Sequence, residues 1–328
     1  MAKTETTTKS EPTWPELLGS KNWDGLLNPL DLSLRNLILR CGDFCQATYD
    51  AFNNDENSKY AGSSRYGKKS FFEKTMLDSA SDYQVHCFLY ATAKVDIAQA
   101  VFLHSLSRES WDRESNWIGY VAVTSDAVSQ ALGRREIYGW LNIYVSTDPN
   151  STFTKLSARM QLLKKIQELR DEYKNESLSI TLTGHSLGAC LAILSAFDLV
   201  ENGANDIPVS AIVFGSPQRV TGVQKYRNRT RDRQQKIPES EGLEESSDWH
   251  NLQAMLHVVA GWNGPDGEFE LKVKRSLALV NKSSAILKDE YLIPGSWWVE
   301  KNKGLVRDEN GEWILAPPSD EDQPVPEF

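Results

Sequence analysis

Residues 178–199, LSITLTGHSLGACLAILSAFDL, constrain the fold more than any other stretch of this chain. Leu178, Ile180 and Leu182 alternate with Ser179, Thr181 and Thr183, the period-two pattern of a strand. The pattern then drives into Gly184-His185-Ser186-Leu187-Gly188, a G-x-S-x-G pentapeptide. An apolar helical spacing follows at once through Leu187, Cys190, Leu191, Leu194 and Phe197, with Asp198 expected on the wet side. Strand, sharp turn and helix together make this motif a nucleophile elbow, in which two glycines relieve the crowding around a strained serine. Ser186 is therefore the candidate nucleophile. The flanks decide this reading, because the bare pentapeptide also fits an ordinary Gly-rich turn.

The remaining segments place that motif in a sheet flanked by helices. LDLSLRNLILRCGDFCQATYDAF (30–52) has helical spacing of Leu34, Leu37, Ile38, Cys41, Phe44 and Cys45, with Pro29 and Asp31 at its start. A shorter helix is expected near 68–78, and strands at His86–Ala91 and Ile118–Thr124. Arg135–Tyr138 opens another strand that stops early. Residues 153–173 read as an amphipathic helix with Leu156, Met160, Leu163, Ile166 and Leu169 near one face. VSAIVFGSP (209–217) is apolar enough for a strand covered on both sides. Alternating strands and helices predict a mostly parallel α/β sheet in one domain over 1–328. Residues 250–262 and 268–282 read as helices, and Trp297, Trp298 and Trp313 around Asn310-Gly311 as a terminal hairpin packing on the core. Between them, 219–248 reads as a mobile polar loop, basic then acidic, and 315–328 as a frayed tail.

Composition narrows the class. Hydrophobic residues make up 40% and charged residues 25% of 328, enough for one large core. A net charge of -9 argues against a general nucleic-acid binder. No apolar run is long enough to span a bilayer, and the opening MAKTETTTKSEPTWPELLGS lacks a signal-peptide core, so a cytoplasmic protein is expected. Cys41, Cys45, Cys87 and Cys190 are then expected as thiols. Cys41 and Cys45 lack a second Cys/His pair at zinc spacing and read as buried small hydrophobes. No metal or cofactor site is expected.

A serine needs a base, and in this architecture the order is Ser, acid, His. His250 and His257 follow Ser186. His250, where a loop meets a helix, is the preferred base, while His257 is expected to pack against the body. His86 and His104 are expected to be structural, and His185 to point away from the hydroxyl. Among aspartates before His250, Asp198 lies behind the elbow, Asp206 at the wrong end of the sheet, and Asp248 too near His250. Asp232 remains by elimination. The Leu187 N–H is the expected first oxyanion donor, and no second donor stands out.

WPELLGSKNWDGLLNPLD, YVAVTSD, GRREIY, LTGHSLGACLA, VFGSP, WHNLQAMLHVVAGW and GSWWVEKNKGLV are spread over most of the chain. In these stretches it resembles the plant class-3 lipase family, most closely the cytosolic phospholipase A1-II group. The resemblance implies an α/β-hydrolase that cleaves the sn-1 acyl ester of glycerophospholipids, meeting a phospholipid or other acyl-lipid at a membrane surface in transient contact. It implies Ser186 as acyl-enzyme nucleophile and His250 as base. Two departures follow from the same comparison. The family's strand continues past GRREIY through an Arg-Gly-Thr oxyanion segment, where here Tyr138 runs into Gly139-Trp140-Leu141. The family's helix and strand after FGSP, which deliver the triad acid, give way here to 218–248. A catalytically silent binding module is the alternative.

Overall fold

The computed structural model describes residues 11–53, 62–77, 80–92, 115–124, 127–133, 140–204, 206–216, 250–265, 267–282, 305–307 and 313–315. In chain order these form α1 (Trp14–Leu17), α2 (Leu32–Ala51), α3 (Phe71–Lys74), β1 (Gln84–Ala91), β2 (Asn116–Thr124), β3 (Ala127–Gly133), α4 (Trp140–Val145) and α5 (Ala158–Glu172). Then come β4 (Ile180–His185), α6 (Leu187–Asn202), β5 (Val209–Phe214), α7 (Leu252–Gly261), a 3-10 turn (Leu277–Lys282), β6 (Leu305–Arg307) and β7 (Trp313–Leu315).

β1 to β5 form one sheet in sequence order. β1/β2 and β2/β3 are antiparallel, whereas β3/β4 and β4/β5 are parallel, so the sheet is mixed and its parallel half includes the G-x-S-x-G strand. The parallel register aligns Gly133, His185 and Phe214 at the carboxyl ends, which is where open α/β sheets build sites.

Alternation along the strands gives the sheet two covered faces. Cys87, Leu89, Ile118, Val121, Ile180 and Leu182 pack with Leu162, Ile166, Leu187 and Leu191 of α5 and α6. Phe88, Tyr90, Trp117 and Tyr120 pack with Phe44 and Ala47 of α2 and with Phe71 and Phe72 of α3. Each such fully buried large side chain contributes about 1.5–3 kcal/mol. α2 starts where expected: the Asp31 carboxylate accepts from the Ser33 and Leu34 N–H groups at 2.9 and 3.2 Å. Among the described strands β1 lies at the sheet edge, and Gln161 closes it. Its amide accepts from Tyr90 N at 3.0 Å and donates to Tyr90 O at 3.0 Å, standing in for a neighbouring strand.

Several sequence expectations need correction. The strand beside β4 is β3, formed by 127–133, while the strand expected at Arg135–Tyr138 lies outside the described residues. α5 begins at Ala158, because the Ser157 side chain caps it by accepting from Met160 N at 3.2 Å. Its buried stripe then runs Ala158, Leu162, Ile166 and Leu169, and Met160 is 48% exposed. The helix near 68–78 is the single turn α3, and within 268–282 the helical part is the 3-10 turn alone. Asp198 is buried and not wet; Phe197 is the exposed one, at 60%. The carboxylate of Asp198 takes two hydrogen bonds from Arg159 at 2.8 Å and one from Tyr144 at 3.0 Å, so partners on α4 and α5 keep it inside. The terminal hairpin exists as β6 paired antiparallel with β7. Its turn, Trp297, Trp298, the loop 219–248 and the tail from 316 lie outside the described residues.

Candidate active site

Ser186 stands alone between the last residue of β4 and the first of α6, at φ 57° and ψ -118°. A non-glycine residue held there stores about 1–3 kcal/mol of backbone strain. Its surroundings enforce that conformation. The Ser186 N–H donates to the Phe214 carbonyl at 3.0 Å, tying the turn to the end of β5. A Cβ on Gly184 would stand 2.2 Å from the Gly188 carbonyl oxygen, so the strand and the helix approach too closely for any side chain at this position. Leu187 follows as the first residue of α6, and its N–H has no intrahelical acceptor at the positive end of the helix dipole. Negative charge developing beside Ser186 would meet that N–H.

His250 reaches the same end of the sheet from the other side. It precedes Asn251, whose side chain caps α7 by accepting from Gln253 N and Ala254 N at 2.9 and 3.2 Å. The Asn251 amide also donates to the Val280 carbonyl at 2.9 Å. A Cβ on Gly215 would lie 3.0 Å from His250 Cε1 and 3.1 Å from its Nδ1, so the imidazole rests against the residue next to Phe214. Gly215 has φ 54°, the left-handed region, which also favours glycine. Two predicted residues, Ser186 and His250, thus lie at the ends of adjacent parallel strands. Among the described residues no hydrogen bond joins their side chains. In ligand-free enzymes such bonds are often long and shorten when substrate binds.

α7 is held by both ends. The buried Arg35 guanidinium donates to the Val259 carbonyl and, at 2.7 Å, to the Trp262 carbonyl at the helix C-terminus. Arg275 donates to Gln253 at 2.6 Å and to Asp43 at 2.7 Å, fastening α7 to α2. His257, on the same helix, stacks on Phe269 at 5.3 Å. Burial and then nearby Arg275 push its pKa down, and among the described residues its buried Nδ1 has no hydrogen-bond partner.

His185 points away from the serine, into α2. Its Nδ1 lies 2.7 Å from the Tyr49 hydroxyl and its Nε2 2.9 Å from the His250 carbonyl oxygen. The two histidine rings are 4.8 Å apart at 40°. Sequence reasoning missed Tyr49. A helical step of four residues advances about 6 Å and a strand step of two about 6.6 Å, so a helix lying along a strand meets it in matched rungs. Cys41 and Cys45 meet Thr183, through its hydroxyl to the Cys41 carbonyl at 3.1 Å and to the Cys45 thiol at 3.2 Å. Tyr49, four residues on, meets His185, two residues on. The 41/45/49 spacing was the available signal.

Of the acids, Asp198 is engaged by Arg159, and Asp206 takes two bonds from Arg170 at 2.9 and 2.7 Å near the start of β5. Asp232, Asp248 and His104 lie outside the described residues. His86 is on β1, away from the elbow. Burial pushes the Cys41 thiol up to about 12, and Cys45 higher still. Among the described residues no three His, Cys, Asp or Glu side chains cluster as metal ligands, and no helix is long and apolar enough to cross a membrane.

A parallel strand, a serine at positive φ and a helix starting on the next residue define an α/β-hydrolase. The profile of the class 3 lipases matches residues 67–238. Phospholipase A1-IIdelta of Arabidopsis thaliana is 50% identical over 417 aligned positions, covering 98% of this chain and 100% of that protein. Phospholipase A1-II 5 of Oryza sativa subsp. japonica is 44% identical over 393, covering 95% of this chain and 84% of that protein. The solved lipase from Rhizopus microsporus var. chinensis matches with TM-score 0.32 and 13% identity over 58% of this chain and 60% of that one. The chain belongs to the class 3 lipase family. Both plant alignments are longer than its 328 residues, so each relative has internal segments without a counterpart here.

Proposed function

We propose that this chain is a serine acylhydrolase that removes the sn-1 acyl chain of glycerophospholipids, the activity named in its phospholipase A1 relatives. One observation supports it above the others: Ser186 sits strained at the N-terminus of α6 while the His250 ring lies against Gly215, at the end of the adjoining strand. In this reading the Ser186 Oγ attacks the ester carbonyl carbon and His250 takes its proton. The carbonyl oxygen becomes an oxyanion facing the Leu187 N–H, a donor of the kind worth about 2.7–4 kcal/mol of barrier. As the intermediate collapses, the C–O bond to glycerol breaks and His250 returns the proton to the leaving alkoxide. Water, deprotonated by His250, then attacks the acyl-serine, releasing fatty acid and restoring Ser186. Asp232 is the proposed orienting acid, by its place in the chain between serine and histidine. The substrate lies in a lipid surface, so contact with the membrane is transient. The four free, buried thiols support a cytoplasmic setting.

The test is a phosphatidylcholine with different acyl chains at its two positions. The expected products are the sn-1 fatty acid and the 2-acyl lysolipid, lost in Ser186→Ala. Release of the sn-2 acid, or turnover confined to triacylglycerol or galactolipid vesicles, would overturn the phospholipase A1 reading.

A further inference from the structure

We propose that His185, fixed by Tyr49, is a positioning residue for His250. The proposal rests on the reading of Ser186 and His250 given above. A carbonyl oxygen only accepts, so the 2.9 Å contact to His250 O requires the proton on His185 Nε2. In the neutral ring Nδ1 is then a lone pair, and the Tyr49 hydroxyl donates to it at 2.7 Å. The result is a directional chain: Tyr49 O–H to His185 Nδ1, then His185 Nε2–H to the main chain of residue 250. Tyr49 selects the tautomer that can hold His250.

Residue 250 is also held from its far side, where Asn251 caps α7 and bonds Val280. Toward the sheet, its ring meets Gly215 and the face of His185. The His185 bond restrains the carbonyl side, and with it the direction in which the imidazole leaves the chain. A displaced base loses rate steeply with distance, whereas a substrate pocket elsewhere would be unaffected. His185 is 6% exposed and adjoins Ser186 in the chain, so one residue of β4 sets both the elbow and the base beside it.

The experiment compares His185→Leu, His185→Gln and Tyr49→Phe for kcat, KM, thermal midpoint and the rate of fluorophosphonate labelling of Ser186. Glutamine can accept from Tyr49 and donate to the carbonyl, so it should recover most of what leucine loses. Expected are a fall of about tenfold in kcat and labelling rate for His185→Leu, a smaller fall for Tyr49→Phe, and unchanged KM in both. If His185→Leu does not fold, Tyr49→Phe against wild type decides. Folded variants that label and turn over at the wild-type rate would overturn the positioning role. So would losses that follow the thermal midpoint alone, or a glutamine variant no better than leucine. Absence of label on wild type would instead reject the underlying reading.

Discussion

A methyl group on Gly215 would stand 3.0 Å from the ring carbon Cε1 of His250. Real Cβ contacts are seldom that short, and Gly215 also holds φ 54°, which costs an alanine about 1–2 kcal/mol. Gly215→Ala should therefore push the imidazole off its seat while the sheet survives. We expect a thermal midpoint lower by a few degrees and labelling of Ser186 slowed at least tenfold. Differential scanning calorimetry with labelling kinetics checks both; an unchanged labelling rate would place the ring elsewhere in the working enzyme.

The two histidines after the elbow have opposite expectations. His250→Ala should abolish hydrolysis with the fold intact. His257→Leu should keep it, because that ring packs on Phe269 and its buried Nδ1 is unsatisfied among the described residues, so an apolar replacement leaves no polar atom stranded there. Steady-state rates of the two variants decide between them, and activity in His250→Ala would move the base to another residue.

How much of this was legible in the sequence depended on how local each signal was. The elbow was visible because the glycines, the strand and the helix are consecutive. α2 was visible because Leu34, Leu37, Cys41, Phe44 and Cys45 repeat at helical spacing over about three turns. β3 was not, since AVSQALG lacks clean alternation and becomes a strand only through its pairing with β2 and β4. Asp198 looked like a surface residue until Arg159 and Tyr144, 39 and 54 positions away, supplied its partners. The start of α5 was misread because Phe153 and Leu156 extend the apolar pattern past the Ser157 cap. In the site, Ser186 and His250 were readable from motif and order. Tyr49 and the ring of His185 were not, because a helix-to-strand rung appears only when the two elements lie together.

The Asp198 carboxyl should leave a signature in acid. Burial alone would raise its pKa, but bonds from Arg159, Asn202 and Tyr144 outweigh that and hold it below the ordinary range. A lowered folded-state pKa gives stability that is complete above the unfolded value, about 3.9, and is lost as pH falls through the folded one. Wild type should therefore lose stability below about pH 4 more steeply than Asp198→Asn. At pH 7 the variant should be less stable by about 1–2 kcal/mol, modest because Arg159 is partly exposed. Urea melts at pH 3 and pH 7 measure both, and parallel pH curves would count against the pairing.

The strain at Ser186 predicts a trade of stability against activity. Glycine tolerates φ 57° without a Cβ penalty, so Ser186→Gly should melt above Ser186→Ala, by about 2 °C for about 1 kcal/mol relieved. Both variants should be inactive. Equal melting of the two would mean the turn relaxes in solution.

The central claim is an acyl-enzyme on Ser186 formed with His250 as base. The most direct measurement is mass spectrometry of folded protein after brief exposure to a fluorophosphonate. The phosphonate should sit on Ser186 in wild type, be absent from Ser186→Ala, and form at least a hundredfold more slowly in His250→Ala. Folded wild-type protein without modification at Ser186, or labelling undiminished when His250 is removed, would contradict the account.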